Sequence, residues 1–192
     1  MFLDQEEISK LEDRYGRPRE ISFGEIKMQE DEFDLLRRSM EGGRAHDVTI
    51  FTFVKGEVVV IQKPSHPPKV FRAPGGGVEP CENIEDGIRR EMYEETGLEI
   101  EIERYVLRTM VTFVRDTERR DWTSHVFLAS KVGGRLDPKD TEEVAKARLV
   151  SSEKLLGGIR DRMLESGRGG LIYRAKLTDA FFEEVNRQGY IS

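Results

Sequence analysis

The sequence predicts an α/β protein in which a mixed β-sheet is sandwiched between helices, with further helices at both ends. Strand-like runs such as DVTIFTFV and EVVVIQK alternate with segments of helical periodicity such as residues 83–96. At 192 residues, the chain is long enough for one well-cored domain and short for two. Within one compact domain we therefore expect an N-terminal accessory segment at 1–45, a core at 46–157 and a C-terminal helical extension at 158–192.

The N-terminal segment is highly charged and predicts short elements around the core. We expect a helix near residues 5–14, an extended piece at 19–27 and a helix near 31–40. On the last of these, Phe33, Leu36 and Met40 form one apolar stripe at helical spacing. The segment is therefore predicted to form an accessory layer.

The predicted core opens with two strands joined by a tight turn. DVTIFTFV and EVVVIQK flank Lys55-Gly56, an arrangement typical of a β-hairpin. Three prolines in the following KPSHPPKV exclude a continuous central strand there. Residues 83–96 then have helical character and end at Gly97, because glycine favours the conformation just past a helix.

Long strands and several helices complete the prediction. The runs IEIERYVLRTMVTFV and TSHVFLASKV are strand-like, and a short strand is expected at 147–150. Helices are expected near residues 152–156, 160–166 and 177–188.

Composition and charge limit the classes of partner and the cellular compartment that we expect for this protein. The net charge of −6 gives no long-range attraction for nucleic acid or anionic lipid, so a polyanionic partner requires a local basic patch or bridging cations. The single cysteine, Cys81, excludes an internal disulfide and fits a reducing compartment. The acidic start MFLDQEE has no signal-peptide pattern, and no apolar run approaches a membrane span. We expect a cytoplasmic protein with no membrane partner.

Three glutamates recur on one face of the helix predicted at residues 83–96. Glu91, Glu94 and Glu95 stand at i, i+3 and i+4, so their carboxylates project from one side. Two explanations compete: a solvated acidic surface, or a site where a hard divalent cation neutralises the repulsion. The spacing alone favours the solvated surface, because acidic helix faces are common.

The residues before the helix favour a site. The glycine run at 75–77 lets the backbone turn sharply and approach a ligand closely. Glu82 adds a fourth carboxylate to the three on the helix. Arg90 is placed to pair with Asp86, Glu94 or Glu82 and to hold the acidic cluster in register.

The same stretch resembles a known motif. Gly76, five residues, Glu82, seven residues and then REMYEETGL match every fixed position of the Nudix box, G-x5-E-x7-R-E-U-x-E-E-x-G-U, where U is bulky and aliphatic. A match at this spacing over 23 residues is specific. One departure is Cys81, where the family commonly has glycine. We expect either a different loop geometry or a cysteine that tolerates the glycine conformation.

The resemblance to Nudix hydrolases implies a fold and a chemistry. The implied fold is a Nudix α/β/α sandwich with a mixed β-sheet. The implied activity is Mg²⁺- or Mn²⁺-dependent hydrolysis of a nucleoside diphosphate linked to another group. Position by position, the box implies metal ligands at Glu94, Glu95 and Glu82, the Gly75 carbonyl as another ligand, Glu91 as a ligand or the general base, and Arg90 as the residue that orients the cluster.

A weaker likeness extends from about residue 47 to residue 155. In EEVAKARLVSSEKL, Glu143 holds the place of a glutamate that in the family often assists the metals or acts as the base. Leu149 stands where the family's aromatic residue would be. A solvated loop glutamate explains Glu143 equally well.

Four further residues are candidates for binding the substrate. Arg72 could reach a phosphate or a terminal sugar, although an exposed arginine at a strand end is the simpler explanation. Trp122 and His125 could stack on a nucleobase and hydrogen-bond it, or be a core-edge tryptophan and a satisfied histidine. Arg108 belongs to a locally basic stretch that could steer phosphate or form a solvated hairpin tip.

These features predict an enzyme with a small-molecule nucleotide substrate. An ADP-ribose or nucleotide-sugar type of substrate is preferred over a nucleoside triphosphate, because the long flanking segments could close a homodimer around a larger molecule. Two alternatives are a Nudix module that senses a nucleotide without cutting it and an RNA 5′-end pyrophosphohydrolase. The complete set of box carboxylates disfavours the first, and the acidic net charge disfavours the second.

Overall fold

One mixed six-stranded sheet organises the molecule. The computed structural model describes residues 5–190. The strands lie in the order β1-β4-β5-β2-β3-β6, with β1 parallel to β4, β2 parallel to β5 and all other neighbours antiparallel. Their bounds are β1 Arg19–Lys27, β2 His46–Val54, β3 Glu57–Gln62, β4 Leu98–Arg115, β5 Glu118–Gly134 and β6 Lys146–Val150.

Helices cover both faces of the sheet. Helices α1 and α3 pack on one face, and α2, α5 and α6 pack on the other. The predicted α/β/α sandwich with helices at both ends is therefore confirmed. The helices are α1 Gln5–Tyr15, α2 Glu30–Ser39, α3 Ile84–Thr96, α4 Ser152–Lys154, a π-helical turn Leu155–Ile159, α5 Arg160–Glu165 and α6 Gly169–Gln188. Within the described residues, each helix is too short or too polar to cross a bilayer.

Each face of the sheet has its own apolar core. On one face, the buried side chains Ile84, Ile88 and Met92 form a stripe along α3 and pack in the same cluster as Val48 and Ile50 of β2. On the other face, Phe51 of β2 stacks on Phe181 of α6 with ring centroids 3.8 Å apart. Consecutive β2 residues therefore alternate between the two cores, as a fully buried strand requires.

Local signals fix the ends of α3. The Asn83 side chain accepts a hydrogen bond from the Asp86 N–H at 2.8 Å, an ordinary N-cap. Gly97 ends the helix with φ of +74°, and a Cβ there would lie 2.3 Å from the Asp137 carbonyl oxygen. Both the backbone conformation and the neighbouring chain therefore require glycine.

Two segments differ from the sequence prediction. Residues 19–27 are extended as predicted, but they form β1 of the main sheet, whose partner β4 lies far along the chain. Helix α6 begins at Gly169, eight residues before the predicted start at 177. Two leading glycines, Gly169 and Gly170, lower the helix propensity of this turn. Tertiary contacts to Glu32, which accepts hydrogen bonds from both of their N–H groups, stabilise it.

Replacing Gly97 by alanine is expected to lower the free energy of unfolding by about 2 kcal/mol or more, because the new Cβ meets a backbone oxygen in a left-handed conformation. Gly56→Ala is the matched control. Gly56 also has a positive φ, +79°, but open space around its Cα, so we expect a loss of about 1 kcal/mol. Urea unfolding of both variants measures the difference, and equal losses would contradict the role of the Asp137 contact.

Candidate functional site

A glycine loop beside β2 places the backbone over α3. The N–H groups of Val48 and Ile50 donate to the carbonyls of Gly76 and Pro74, each at 3.0 Å. Gly75 has φ of +142°, and a Cβ there would lie 2.1 Å from the Val48 carbonyl oxygen. Glycine is therefore required at the point where the loop crosses to the carboxylates.

Glu95 is a buried carboxylate surrounded by donors. Glu95 is 2% exposed, and its Oε2 accepts a hydrogen bond from the Gly75 N–H at 2.7 Å. Its Oε1 lies 3.4 Å from Lys63 Nζ and 3.5 Å from an Arg72 guanidinium nitrogen. A backbone N–H and two side-chain cations thus offset the cost of burying this charge.

Glu91 lies directly beneath the same loop. A Cβ on Gly76 would be 2.4 Å from its Oε2, and its side chain is 13% exposed. Burial, followed by the negative charge of Glu95, raises the pKa of Glu91 to about 7. Arg90 donates to Oε1 at 3.0 Å and opposes this rise. Glu91 is therefore a carboxylate that titrates near neutral pH.

Arg90 connects the loop to the helix. Its Nε and one terminal nitrogen donate to the two Glu82 oxygens, each at 2.8 Å, and the same terminal nitrogen donates to the Gly77 carbonyl at 2.8 Å. Its other terminal nitrogen lies 3.0 Å from Glu94, whose side chain is 44% exposed. The hydrogen bond with Glu82 raises the pKa of Arg90. Arg90 thus fixes the box carboxylates relative to one another.

Arg72 is buried, contrary to the exposed position that we considered. It is 6% exposed and donates to the carbonyls of Ala73 at 2.8 Å and Gly75 at 3.2 Å. Burial lowers the pKa of Arg72, while the nearby Glu95 opposes that change. Arg72 therefore lies at the predicted site, next to both Gly75 and Glu95.

Glu143 joins this group through Lys63. The Glu143 carboxylate is 62% exposed and lies 2.6 Å from Lys63 Nζ, which also contacts Glu95. Sequence analysis missed Lys63. Its position directly after β3 and before the proline-rich loop was the available signal, since residues at a strand end often point into a site.

The oxygen atoms gathered here are of the chemical type that a hard divalent cation prefers. Carboxylate and carbonyl oxygens are the ligands that Mg²⁺ and Mn²⁺ prefer, and two buried neighbouring carboxylates leave a negative charge that such an ion would neutralise. In the described part of the chain, however, no three Asp, Glu, His or Cys side chains converge as a ready metal site. Arg90, Lys63 and Arg72 contact these oxygens instead. Metal binding therefore requires local rearrangement.

Cys81 adopts the glycine conformation. Its φ is +69°, and it is exposed. The loop thus keeps a left-handed residue before Glu82, at the modest cost of a side chain in that region.

A cavity of about 300 Å³ opens next to Arg72, on the face of the sheet that carries α2 and α6. Trp122 and Phe113 line it from the sheet, and both are largely buried. At its floor, Arg174 of α6 donates to Asp47 of β2 at 2.6 Å. The structure therefore brings Trp122 and Arg72 to one cavity.

His125 and Arg108 lie away from that cavity. His125 is buried on the opposite face of the sheet, hydrogen-bonded to Tyr105. Arg108 pairs with Glu12 at 2.6 Å and Glu20 at 2.8 Å. Trp122 and His125 do not share a surface because side chains three apart on a strand point to opposite faces, a rule already available from the sequence.

The chain was compared with models of known protein families. A family model described as NUDIX domain matches residues 43–171. The chain belongs to the Nudix family. The resemblance of the sequence to Nudix hydrolases is thus confirmed over most of the chain, well beyond the motif itself.

Several solved structures resemble this Nudix protein. A MutT protein from Bacillus halodurans is 20% identical, with 63% of this chain and 79% of that chain covered and a TM-score of 0.49. An ADP-ribose pyrophosphatase from Streptococcus suis is 18% identical, with 56% and 74% covered and a TM-score of 0.42. A UDP-X diphosphatase is 18% identical, with 76% and 71% covered and a TM-score of 0.43.

The raised pKa of Glu91 predicts how the stability of the metal-free protein depends on pH. Folding raises this pKa from 4.5 to about 7, so the ionised group destabilises the fold. The penalty is absent below the unfolded pKa and complete above the folded one. In EDTA, Glu91→Gln should therefore be more stable than the parent by on the order of 2 kcal/mol near pH 8 and equal to it near pH 4.

Chemical denaturation across this pH range measures the effect. Glu101→Gln, at an exposed position of β4, is the control for removing a carboxylate and should show no such pH dependence. A Glu91→Gln variant that is less stable than the parent near pH 8 would contradict the burial argument.

The contacts of Lys63 predict that its ammonium group and a divalent cation compete for the Glu95 and Glu143 carboxylates. Because its ammonium group contacts Glu95 and Glu143, a divalent cation binding there has to displace it. We expect Lys63→Met to bind Mn²⁺ about tenfold more tightly, as a change of about 1.4 kcal/mol would produce. Electron paramagnetic resonance measures free Mn²⁺ directly. The control Lys146→Met removes an exposed lysine on β6 and should leave the Mn²⁺ affinity unchanged. Weaker Mn²⁺ binding by Lys63→Met would contradict the competition and indicate that Lys63 supports metal binding.

Proposed function

We propose that this Nudix protein is a divalent-metal-dependent pyrophosphohydrolase that cleaves the diphosphate of a nucleoside diphosphate linked to another group. The observation that carries the proposal is the pair of carboxylates under the glycine loop, the buried Glu95 and the partly buried Glu91, next to Arg72 and the cavity. Oxygen donors, a guanidinium group and space for a ligand meet at one place. This combination suits a charged diphosphate that carries a larger group.

The predicted metal donors keep the roles that the motif implies. Glu94, Glu95, Glu82 and the Gly75 carbonyl would hold Mg²⁺ or Mn²⁺, with Glu91 as a further ligand or as the general base. When bound, the cation neutralises and orients the diphosphate. Arg72 supplies a further fixed positive charge beside Gly75 and so favours the same anionic group.

Glu91 is our candidate general base. A pKa of about 7 lets it accept a proton at neutral pH, and Arg90 occupies Oε1, which leaves Oε2 facing Gly76 for the transfer. It would take one proton from a water molecule whose oxygen attacks a phosphorus atom. The phosphoanhydride bond then breaks, and its electron pair and bridging oxygen leave with the second phosphate. Glu143 is the alternative base, and its pairing with Lys63 and its exposure favour a supporting role.

A nucleoside diphosphate joined to a sugar remains our preferred substrate over a nucleoside triphosphate. This preference rests on the long flanking segments, which could close a homodimer around a larger molecule. A homodimer and a cytoplasmic location also remain proposals, the latter because a single cysteine suits a reducing compartment.

The two alternatives are less well supported. A sensing module has no need of a carboxylate poised to accept a proton, yet Glu91 is buried beside Glu95 and titrates near neutral pH. An RNA 5′-end substrate requires a basic track for the strand, and the net charge of −6 opposes it.

The direct test is incubation with Mg²⁺ and a panel of ADP-ribose, nucleotide sugars, dinucleoside polyphosphates, NADH, coenzyme A, nucleoside triphosphates and a 5′-triphosphate RNA, with products identified by mass. We expect cleavage within the diphosphate of one class. Glu95→Gln, which keeps the size of the side chain, should lower kcat by about a hundredfold or more while the protein stays folded.

Two outcomes would count against the proposal. Near-wild-type turnover by Glu95→Gln and by Glu94→Gln would remove the metal-ligand assignment. Metal-dependent binding of a nucleotide with no turnover of any compound would favour the sensing module instead.

A further inference from the structure

The cavity next to Arg72 is walled in part by residues that precede the family domain. The domain match begins at residue 43, whereas Met28, Leu35, Leu36 and Ser39 all line the cavity. They lie on α2 or immediately beside it. Helix α2 is therefore an addition to the Nudix domain that reaches into the predicted substrate space.

The cavity is lined by apolar side chains from α2 and from the sheet and also by polar and charged ones, among them Glu32, His66 and Arg168. Leu35 and Leu36 form the α2 wall, and Trp122 and Phe113 form the wall on the sheet. The Asp47–Arg174 pair lies at the floor, and Arg72 lies where the cavity meets Glu95. A ligand that matches these walls has two flat apolar faces and a polar edge, and it carries an anionic group at the Arg72 end.

A buried carboxylate joins α2 to α6, in addition to the core packing of Phe33 and Leu36. Glu32, which is 8% exposed, accepts the N–H groups of Gly169 at 2.9 Å and Gly170 at 3.1 Å. It therefore caps the first turn of α6, the helix that also supplies Arg174. A Cβ on Gly169 would lie 2.2 Å from the Lys27 carbonyl oxygen, so the two segments are in close backbone contact. The position of the α2 wall thus depends on Glu32.

We propose that α2 is the specificity-determining wall of this site and that the cavity binds the nucleobase of the substrate between Leu35 and Leu36 on one side and Trp122 on the other. A heteroaromatic base has the flat apolar faces and polar edge that the cavity requires, whereas a sugar presents hydroxyl groups on every side. Glu32 also lines the cavity, and it acts as a positioning residue because both of its carboxylate oxygens accept N–H groups at the start of α6. The inference rests on the proposed function for the identity of the ligand as a nucleotide.

Tryptophan fluorescence reports on this cavity directly. Trp122 is the single tryptophan of the chain, and it lines the cavity. Without added metal, titration with AMP, GMP, CMP and UMP should change its emission saturably for at least one base, whereas ribose 5-phosphate should not. No change with any nucleotide, or an equal change with ribose 5-phosphate, would overturn the proposal.

Two variants, each with a matched control, test whether α2 contributes to nucleotide binding. Leu35→Ala removes a 55% exposed side chain from the cavity, and Val132→Ala removes a 62% exposed one at the far end of β5. Glu32→Gln weakens the contact with α6, and Asp34→Asn makes the same kind of change at an α2 residue that pairs with Arg37 within the same helix. We expect Leu35→Ala and Glu32→Gln to raise the nucleotide Kd and the substrate KM about fivefold to tenfold, as a loss of about 1–1.4 kcal/mol implies, with kcat within about twofold.

The controls should match the parent protein. Leu35→Ala keeps the test informative if Glu32→Gln lowers the melting temperature too far, because its side chain is largely solvent-exposed. Unchanged Kd and KM in Leu35→Ala would overturn the role of α2, even if the enzyme cleaves a nucleotide sugar. If no compound is cleaved but a nucleotide alters the Trp122 emission, the proposed function fails while the base-binding cavity stands.

Discussion

The repulsion between two buried carboxylates shapes the centre of this molecule. Glu91 and Glu95 lie side by side where little water can screen their charges, and the surrounding structure offsets this cost. Arg90 is fixed by Glu82, Lys63 reaches in from the end of β3, and the Gly75 N–H donates from a loop that requires glycine. The loop and the helix thus hold two anions together beside Arg90, Lys63 and Arg72, and a divalent cation that binds there has to displace part of this arrangement.

Two groups of residues lie on opposite faces of the sheet and approach each other beside β2 and β3, which are interior strands. Helix α3 carries the carboxylates on one face, and the cavity lies on the other, between β2, α2 and α6. The chain between β3 and α3 passes from one side to the other, and Arg72 within it contacts both the Gly75 carbonyl and the cavity. The carboxylates proposed for bond breaking and the cavity proposed for ligand binding therefore lie on different faces of the sheet, and Arg72 contacts both.

Much of this arrangement was predictable because it is encoded locally. The hairpin at Lys55-Gly56 and the helix from Asn83 to Gly97 follow from turn and capping chemistry within a few residues. Features that depend on distant partners were not predictable. The strand at 19–27 has no local sign of its partner β4, and the start of α6 depends on Glu32, more than a hundred residues earlier in the chain. Likewise, Lys63, which sequence analysis missed, belongs to this cluster through its contacts with Glu95 and Glu143.

The parallel pairing of β1 with β4 has a consequence for synthesis of the chain. Ile21 is paired with Thr109, so β1 leaves the ribosome long before its partner exists. At a typical rate of about 5–20 residues per second, the nascent strand waits several seconds with an open edge. Its sequence REISFGEIK alternates charged with apolar residues and contains Gly24 at an irregularity in the register, features that discourage pairing with other chains. The charge that marked the N-terminal segment as an accessory layer thus protects an unfinished sheet.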